Sequence, residues 1–176
     1  MPSPPNESGY AALRRFRYSA PGAEYFLTTN LESRGSGLEG SATAAAVRGQ
    51  WTKLEQDGLW RVRTAVVMPD HIHLLVNPGE KVALSECVRA FKGRLSPVLR
   101  GNGLRWQEGY YDHRMRETED RLPVFLYIFL NPYRANLAPG AETWPGYYCE
   151  PADWAWFGGL TNEESPWPEW LNEVGA

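Results

Sequence analysis

The spacing of apolar and polar positions predicts the elements of this chain one after another. Residues 24–30 (EYFLTTN) are rich in β-formers and follow the turn dipeptide Pro21-Gly22, which predicts a first strand. Two longer runs, 59–68 (LWRVRTAVVM) and 71–77 (HIHLLVN), are the clearest strands, with a turn at Pro69-Asp70 between them. Between the first and second strands, 42–57 predicts a helix, with Ser41 as N-cap and Gly58 just past its end. A second helix shows in Leu84, Val88, Phe91, Leu95 and Val98, whose alternating spacings of four and three keep one face apolar. Pro97 is expected to kink or end it. Short strands over 104–107 and 110–116 come next. A last helix then starts near Asp120, with Pro123 in its first turn, and runs through PVFLYIFL. It is expected to end at Asn131, because Pro132 pushes its predecessor out of the α region.

Strand, helix, strand, strand, helix, strands, helix is an α+β order. It fits a split βαβ, ferredoxin-like antiparallel sheet with helices on one face. The 176 residues suit one folded domain, taken as 21–138, with a basic N-terminal arm over 1–20 and a distinct tail over 139–176. With 43% hydrophobic and 22% charged residues the chain is ordinary globular material, which excludes wholesale disorder. No run of about 18 uncharged apolar residues occurs, so no membrane span is expected. Nor does MPSPPNESGY read as a secretory signal. Two cysteines are too few for a disulfide framework, and a reducing cytoplasm is the expected compartment.

Charge changes the picture once it is divided along the chain. The net charge is −3, yet 139–176 holds seven acids and no Lys or Arg, so the remainder carries +4. An acidic tail masks a mildly basic body. That tail also holds Trp144, Trp154, Trp156, Trp167 and Trp170. So many aromatics favour packing on the body, with the acids outward or against its basic surface.

His71-Ile72-His73 contains two of the three histidines. In a strand, residues two apart project from the same face, so both imidazoles stand side by side as half of a metal site. Taken alone, two core-edge histidines are the plainer account of that spacing. On the last helix, Tyr127 and Asn131 are four apart and share a face. One reading makes Asn131 a helix-terminal cap and Tyr127 a buried, hydrogen-bonded ring. The other makes Asn131 a carbonyl ligand to the metal and Tyr127 a nucleophile, which needs help because a free phenol has a pKa of about 10. On chemistry alone Tyr110, Tyr111 and Tyr133 compete for that role.

Val67-Met68-Pro69-Asp70-His71-Ile72-His73-Leu74-Leu75-Val76 resembles the HUH signature of single-tyrosine, single-strand DNA transposases, the IS200-like group. Trp106-Gln107-Glu108-Gly109-Tyr110-Tyr111-Asp112-His113 and Tyr127-Ile128-Phe129-Leu130-Asn131-Pro132 resemble, more narrowly, the REP-associated tyrosine transposases. RRFRYSAPGAEYFLTTNLESRG is similar to the N-terminal strand of that group. The resemblance spans residues 14–138, in family order.

It implies an HUH endonuclease fold acting on single-stranded DNA with hairpins, of the REP-like kind. It carries over His71, His73 and Asn131 as ligands to Mg²⁺ or Mn²⁺, and Tyr127 as the nucleophile that forms a 5′-phosphotyrosine. It also favours a monomer over a dimer. Arg14, Arg15, Arg17, Arg89, Lys92 and Arg94 are the best candidates for phosphate contacts, with Phe16 and Tyr18 able to stack on unpaired bases. Two other classes compete: a catalytically silent nucleic-acid-binding module of the same fold, and a small metal hydrolase in which HxH binds the metal while Tyr127 only packs.

Overall fold

The computed structural model describes residues 22–32, 35–139 and 142–161. Five strands make one sheet: β1 (Tyr25–Asn30), β2 (Trp60–Val67), β3 (His71–Pro78), β4 (Tyr111–Arg114) and β5 (Tyr147–Cys149). The spatial order is β4-β1-β3-β2-β5, and every neighbouring pair is antiparallel. Helix α1 (Ser41–Gln56) connects β1 to β2, and α2 (Leu84–Gly101) connects β3 to β4. Each crossover skips one strand, which makes two interleaved split βαβ units and the expected ferredoxin-like topology. Helices α3 (Leu122–Arg134) and α4 (Pro151–Phe157) follow.

The two crossover helices share one face of the sheet. Val47, Trp51 and Leu54 of α1 and Leu84, Val88, Phe91 and Leu95 of α2 pack there against Tyr25, Leu27, Ile72, Leu74 and Val76. The opposite face is covered as well. Phe26, Val66 and Leu75 turn that way and meet Val124, Phe125, Tyr127 and Ile128 of α3 and Phe157 of α4. Burial on both faces explains why the central strands are almost continuously apolar.

In β2 the pairing with β3 shifts between Val62 and Thr64, leaving Arg63 as the extra residue of a bulge. The bulge changes the phase of alternation, so Val62 and Ala65 reach the same core although they are an odd number of residues apart.

Several elements depart from their sequence pattern, each for a tertiary reason. Helix α1 begins with Gly40 as N-cap and has no side-chain cap, so Ser41 lies one residue inside it. Its end is as expected: Gly58 has φ +69, and Leu59 N bonds Leu54 O at 2.9 Å in a Schellman motif. Helix α2 runs through Pro97 to Gly101 without ending. Its buried face continues to Leu99 while Val98 is 38% exposed, since both positions fall within the apolar arc and the packing selects one.

Residues 104–107 make no strand of their own. Trp106 forms an isolated bridge to Leu31, and Trp106 Nε1 bonds the Lys92 carbonyl at 3.2 Å, tying this stretch to α2. Helix α3 continues past Asn131 and Pro132 to Arg134. It closes in a second Schellman motif, with Leu137 N on Pro132 O at 2.9 Å and Asn136 at φ +55.

The acidic segment is part of the body up to Thr161. Strand β5 extends the sheet beyond β2, and α4 buries Phe157 beside Phe125 and Phe129. Gly146 approaches Val67 O so closely that a Cβ would lie 2.6 Å from it. The acids meet arginines of β2: Glu150 pairs with Arg61 at 2.9 Å, and Asp153 accepts from Arg63, which also reaches Glu24 at 3.0 Å. Arg121 closes the network on Glu24 at 2.7 Å. The basic arm, with Arg14, Arg15 and Arg17, and the tail beyond Thr161 lie outside the described residues.

Candidate active site

The second face of the sheet carries a row of side chains formed by register alone. Tyr111, Thr28, His73, Val66 and Tyr147 stand opposite one another across β4, β1, β3, β2 and β5. His71 projects from the same face of β3, two residues from His73, and the two rings lie 4.5 Å apart. Helix α3 crosses above this row and lowers Tyr127 onto it. The Tyr127 hydroxyl lies 3.2 Å from His73 Nε2, with ring centroids 5.1 Å apart. Phe26 stacks on His73 at 5.3 Å and meets Tyr127 edge-on at 5.8 Å. One turn further along α3, the Asn131 side chain hydrogen-bonds the Tyr127 phenol.

Each imidazole is held through its Nδ1. Thr28 Oγ1 lies 2.9 Å from His73 Nδ1, and Asp70 Oδ1 lies 2.6 Å from His71 Nδ1. A carboxylate only accepts, so His71 Nδ1 carries the proton and, in the neutral ring, Nε2 keeps its lone pair. Burial holds His73 well below the usual imidazole range, and the neighbouring His71 adds to that shift. His73 is therefore neutral, the form that ligates metals. Tyr127 is pushed above the ordinary phenol range by burial. The Asn131 hydrogen bond and the positive charge of Arg134 work against that rise.

The expected metal can be tested against these groups. Among the described residues no three His, Cys, Asp or Glu side chains converge, so a site here needs a ligand of another type. Asn131 offers a carbonyl oxygen, Oδ1, on the Tyr127 face of α3 for that purpose. Both imidazoles are held at Nδ1 by an oxygen partner, a carboxylate for His71 and a hydroxyl for His73, as metal-bound histidines commonly are. The residues present fit a divalent cation.

The other expected positions fall elsewhere. Arg89, Lys92 and Arg94 belong to α2, which packs on the sheet face opposite the histidines. Arg89 projects into solvent, within 3.9 Å of Glu86. Arg94 pairs with Asp57 at 2.6 Å. Lys92 donates to the carbonyls of Gln107 at 2.7 Å and Gly109 at 2.5 Å, and burial lowers its pKa. It therefore clasps the 104–109 loop to α2.

Among the competing tyrosines, Tyr110 packs toward the α1–α2 core, Tyr111 meets Phe26 edge-on, and the Tyr133 hydroxyl donates to Glu142 O. His113 pairs with Glu119 at 2.8 Å. Sequence reasoning missed Thr28 and Asp70 as partners of the histidines. Asp70 directly precedes the motif, but Thr28 is visible only through strand register. It also missed Arg134, which shares the Tyr127 and Asn131 face at spacings of four and three.

The chain matches, over residues 23–119, the family model described as "Transposase IS200 like". Tyr127 and Asn131 lie just beyond that match. A REP-associated tyrosine transposase of Escherichia coli (strain K12) is 28% identical over 152 residues, covering 79% of this chain and 88% of that protein. A solved structure of the REP-associated tyrosine transposase bound to a REP hairpin superposes with a TM-score of 0.65. It shares 26% identity and covers 74% of this chain and 79% of its own.

Proposed function

This chain belongs to the IS200-like transposase family, and from that premise we propose that it cuts and rejoins single-stranded DNA beside hairpins through a covalent bond to Tyr127. The observation that carries the proposal is the Tyr127 hydroxyl standing 3.2 Å from His73 Nε2, on the face that His71 also occupies. Hairpin DNA as partner is supported by the similarity to a transposase solved with a REP hairpin bound.

In this reading Tyr127 Oη attacks a backbone phosphorus, and the new O–P bond forms as the bond from phosphorus to the 3′-oxygen breaks. The phenolic proton passes to water and the departing oxygen takes one up, leaving a 5′-phosphotyrosine and a free 3′-hydroxyl. A second 3′-hydroxyl reverses the step, and no external energy source is required because the phosphodiester is conserved in the protein link. His71, His73 and Asn131 would hold a divalent cation, Mg²⁺ or Mn²⁺, which supplies electrostatic stabilisation to the phosphoryl oxygens. Asn131 orients the phenol and favours its ionised form, while burial by Phe26 and α3 restricts the ring to a narrow range of positions.

The test is covalent capture. Wild-type protein incubated with a hairpin oligonucleotide bearing single-stranded flanks and Mn²⁺ or Mg²⁺ should give a protein–DNA adduct resistant to denaturant. Tyr127→Phe should keep the fold and lose the adduct entirely. An adduct that persists in Tyr127→Phe, or that maps by mass spectrometry to Tyr110 or Tyr111, would overturn the assignment.

A further inference from the structure

The nucleophile helix carries more than a phenol and a carboxamide on its site-facing side. Tyr127, Asn131 and Arg134 follow at intervals of four and three, so they lie along one stripe of α3. Side chains on a helix tilt toward its N-terminus, so a guanidinium at Arg134 can reach back along that stripe toward Asn131 and Tyr127. Tyr127 docks this stripe on His73 at 3.2 Å, so the stripe faces the site.

The last turn is held firmly. Pro132 is buried, the Tyr133 hydroxyl donates to Glu142 O at 2.8 Å, and Ala135 N and Leu137 N cap the Asn131 and Pro132 carbonyls at 3.0 and 2.9 Å. The backbone at Arg134 is therefore held in place, with its side chain exposed and Tyr127 mostly buried on the same stripe.

We propose that Arg134 is a phosphate-binding residue of this site, its guanidinium gripping the phosphate that Tyr127 attacks. A planar guanidinium presents two parallel N–H groups that match two phosphate oxygens. Placed one face-step beyond Asn131, it meets the non-bridging oxygens while the phenol approaches phosphorus. There it offsets the charge that grows on those oxygens as the new bond forms. The α2 arginines cannot share this role from the opposite face of the sheet. This inference rests on the reading of Tyr127 as nucleophile.

Two measurements test it, and they fail separately. The first follows adduct formation by wild type and Arg134→Ala on the best-reacting oligonucleotide, with either a natural phosphate or an uncharged methylphosphonate at the cleaved position. Arg134→Ala should slow reaction at the natural phosphate by about 10²-fold. At the methylphosphonate the two proteins should react at similar rates, because the charge that Arg134 recognises is gone.

The second uses the Tyr127→Phe protein without metal. Anisotropy measures binding to the tightest-bound oligonucleotide as methylphosphonates are introduced one position at a time. One position should weaken binding about 5–10-fold when Arg134 is present and not at all in the Arg134→Ala double variant. Equal slowing on both substrates, or no position that couples to Arg134, would overturn the proposal and reduce Arg134 to a counter-charge for the helix C-terminus. If wild type forms no adduct while the binding scan still finds the coupled position, the nucleophile reading fails and the phosphate site stands.

Discussion

His73 shows how much one side chain depends on its immediate partners. Its Nδ1 rests on Thr28 Oγ1, its Nε2 on the Tyr127 hydroxyl, and its face on Phe26. A ring held at both nitrogens cannot rotate without losing a hydrogen bond in a buried place, which costs about 1–3 kcal/mol. Thr28 is thus a positioning residue. Thr28→Val keeps the shape and the strand preference while removing the oxygen. If His73 binds metal through Nε2, that variant should need about 10–100-fold more Mn²⁺ for half-maximal adduct formation, with Thr28→Ser near wild type. A Mn²⁺ titration of adduct yield decides it, and an unchanged midpoint would remove Thr28 from the site. Lys92 teaches the reverse lesson: a cation suited to phosphate by charge is engaged by two backbone carbonyls instead.

Among the elements, the two helices with an interior proline show tertiary packing overriding a local rule. Pro97 lies in the interior of α2, yet the helix continues because Leu95 and Leu99 on either side are buried against the sheet. The proline itself faces solvent and removes one helical hydrogen bond. Pro97→Ala should therefore stabilise the protein by about 1–3 kcal/mol, read from the urea midpoint at unchanged slope. No gain would show that α2 bends at this point and has already absorbed the cost. Helix α3 passes through Pro132 in the same way, since Pro132 is buried and the Schellman motif satisfies the carbonyls beyond it. That extension is what brings Arg134 onto the face of Tyr127.

For the molecule as a whole, the acidic segment is the decisive feature. It supplies the outer strand beside β2, the buried ring of Phe157, and the carboxylates that meet Arg61 and Arg63. Asp153 and Glu24 are both buried and share Arg63, so removing the segment strips a partner from a charge network as well as apolar area from a core. A chain ending at Pro139 should lose its cooperative unfolding transition and bind a hydrophobic dye. A chain ending at Thr161 keeps every buried residue named above and should unfold as a single transition. Circular dichroism during a urea titration separates the two. A folded, cooperative chain ending at Pro139 would show that β5 and α4 are dispensable.

What the sequence determined by itself is what neighbouring residues decide. Strand alternation places His71 and His73 on one face, helical spacing aligns Tyr127 with Asn131, and the order of elements restricts the sheet to a split βαβ. These follow from periodicities of two and 3.6 residues, which act over short stretches. Tertiary structure decided the rest. Thr28 reaches His73 across 45 positions, and Tyr127 reaches it across 54. Strand register and helix docking, which no local pattern records, put Tyr127 on His73 and turned Tyr110 toward the other core. The same long-range packing carried α2 and α3 through their prolines and drew the acidic segment into the sheet. In each case burial over many contacts outweighed a local preference worth a few kcal/mol.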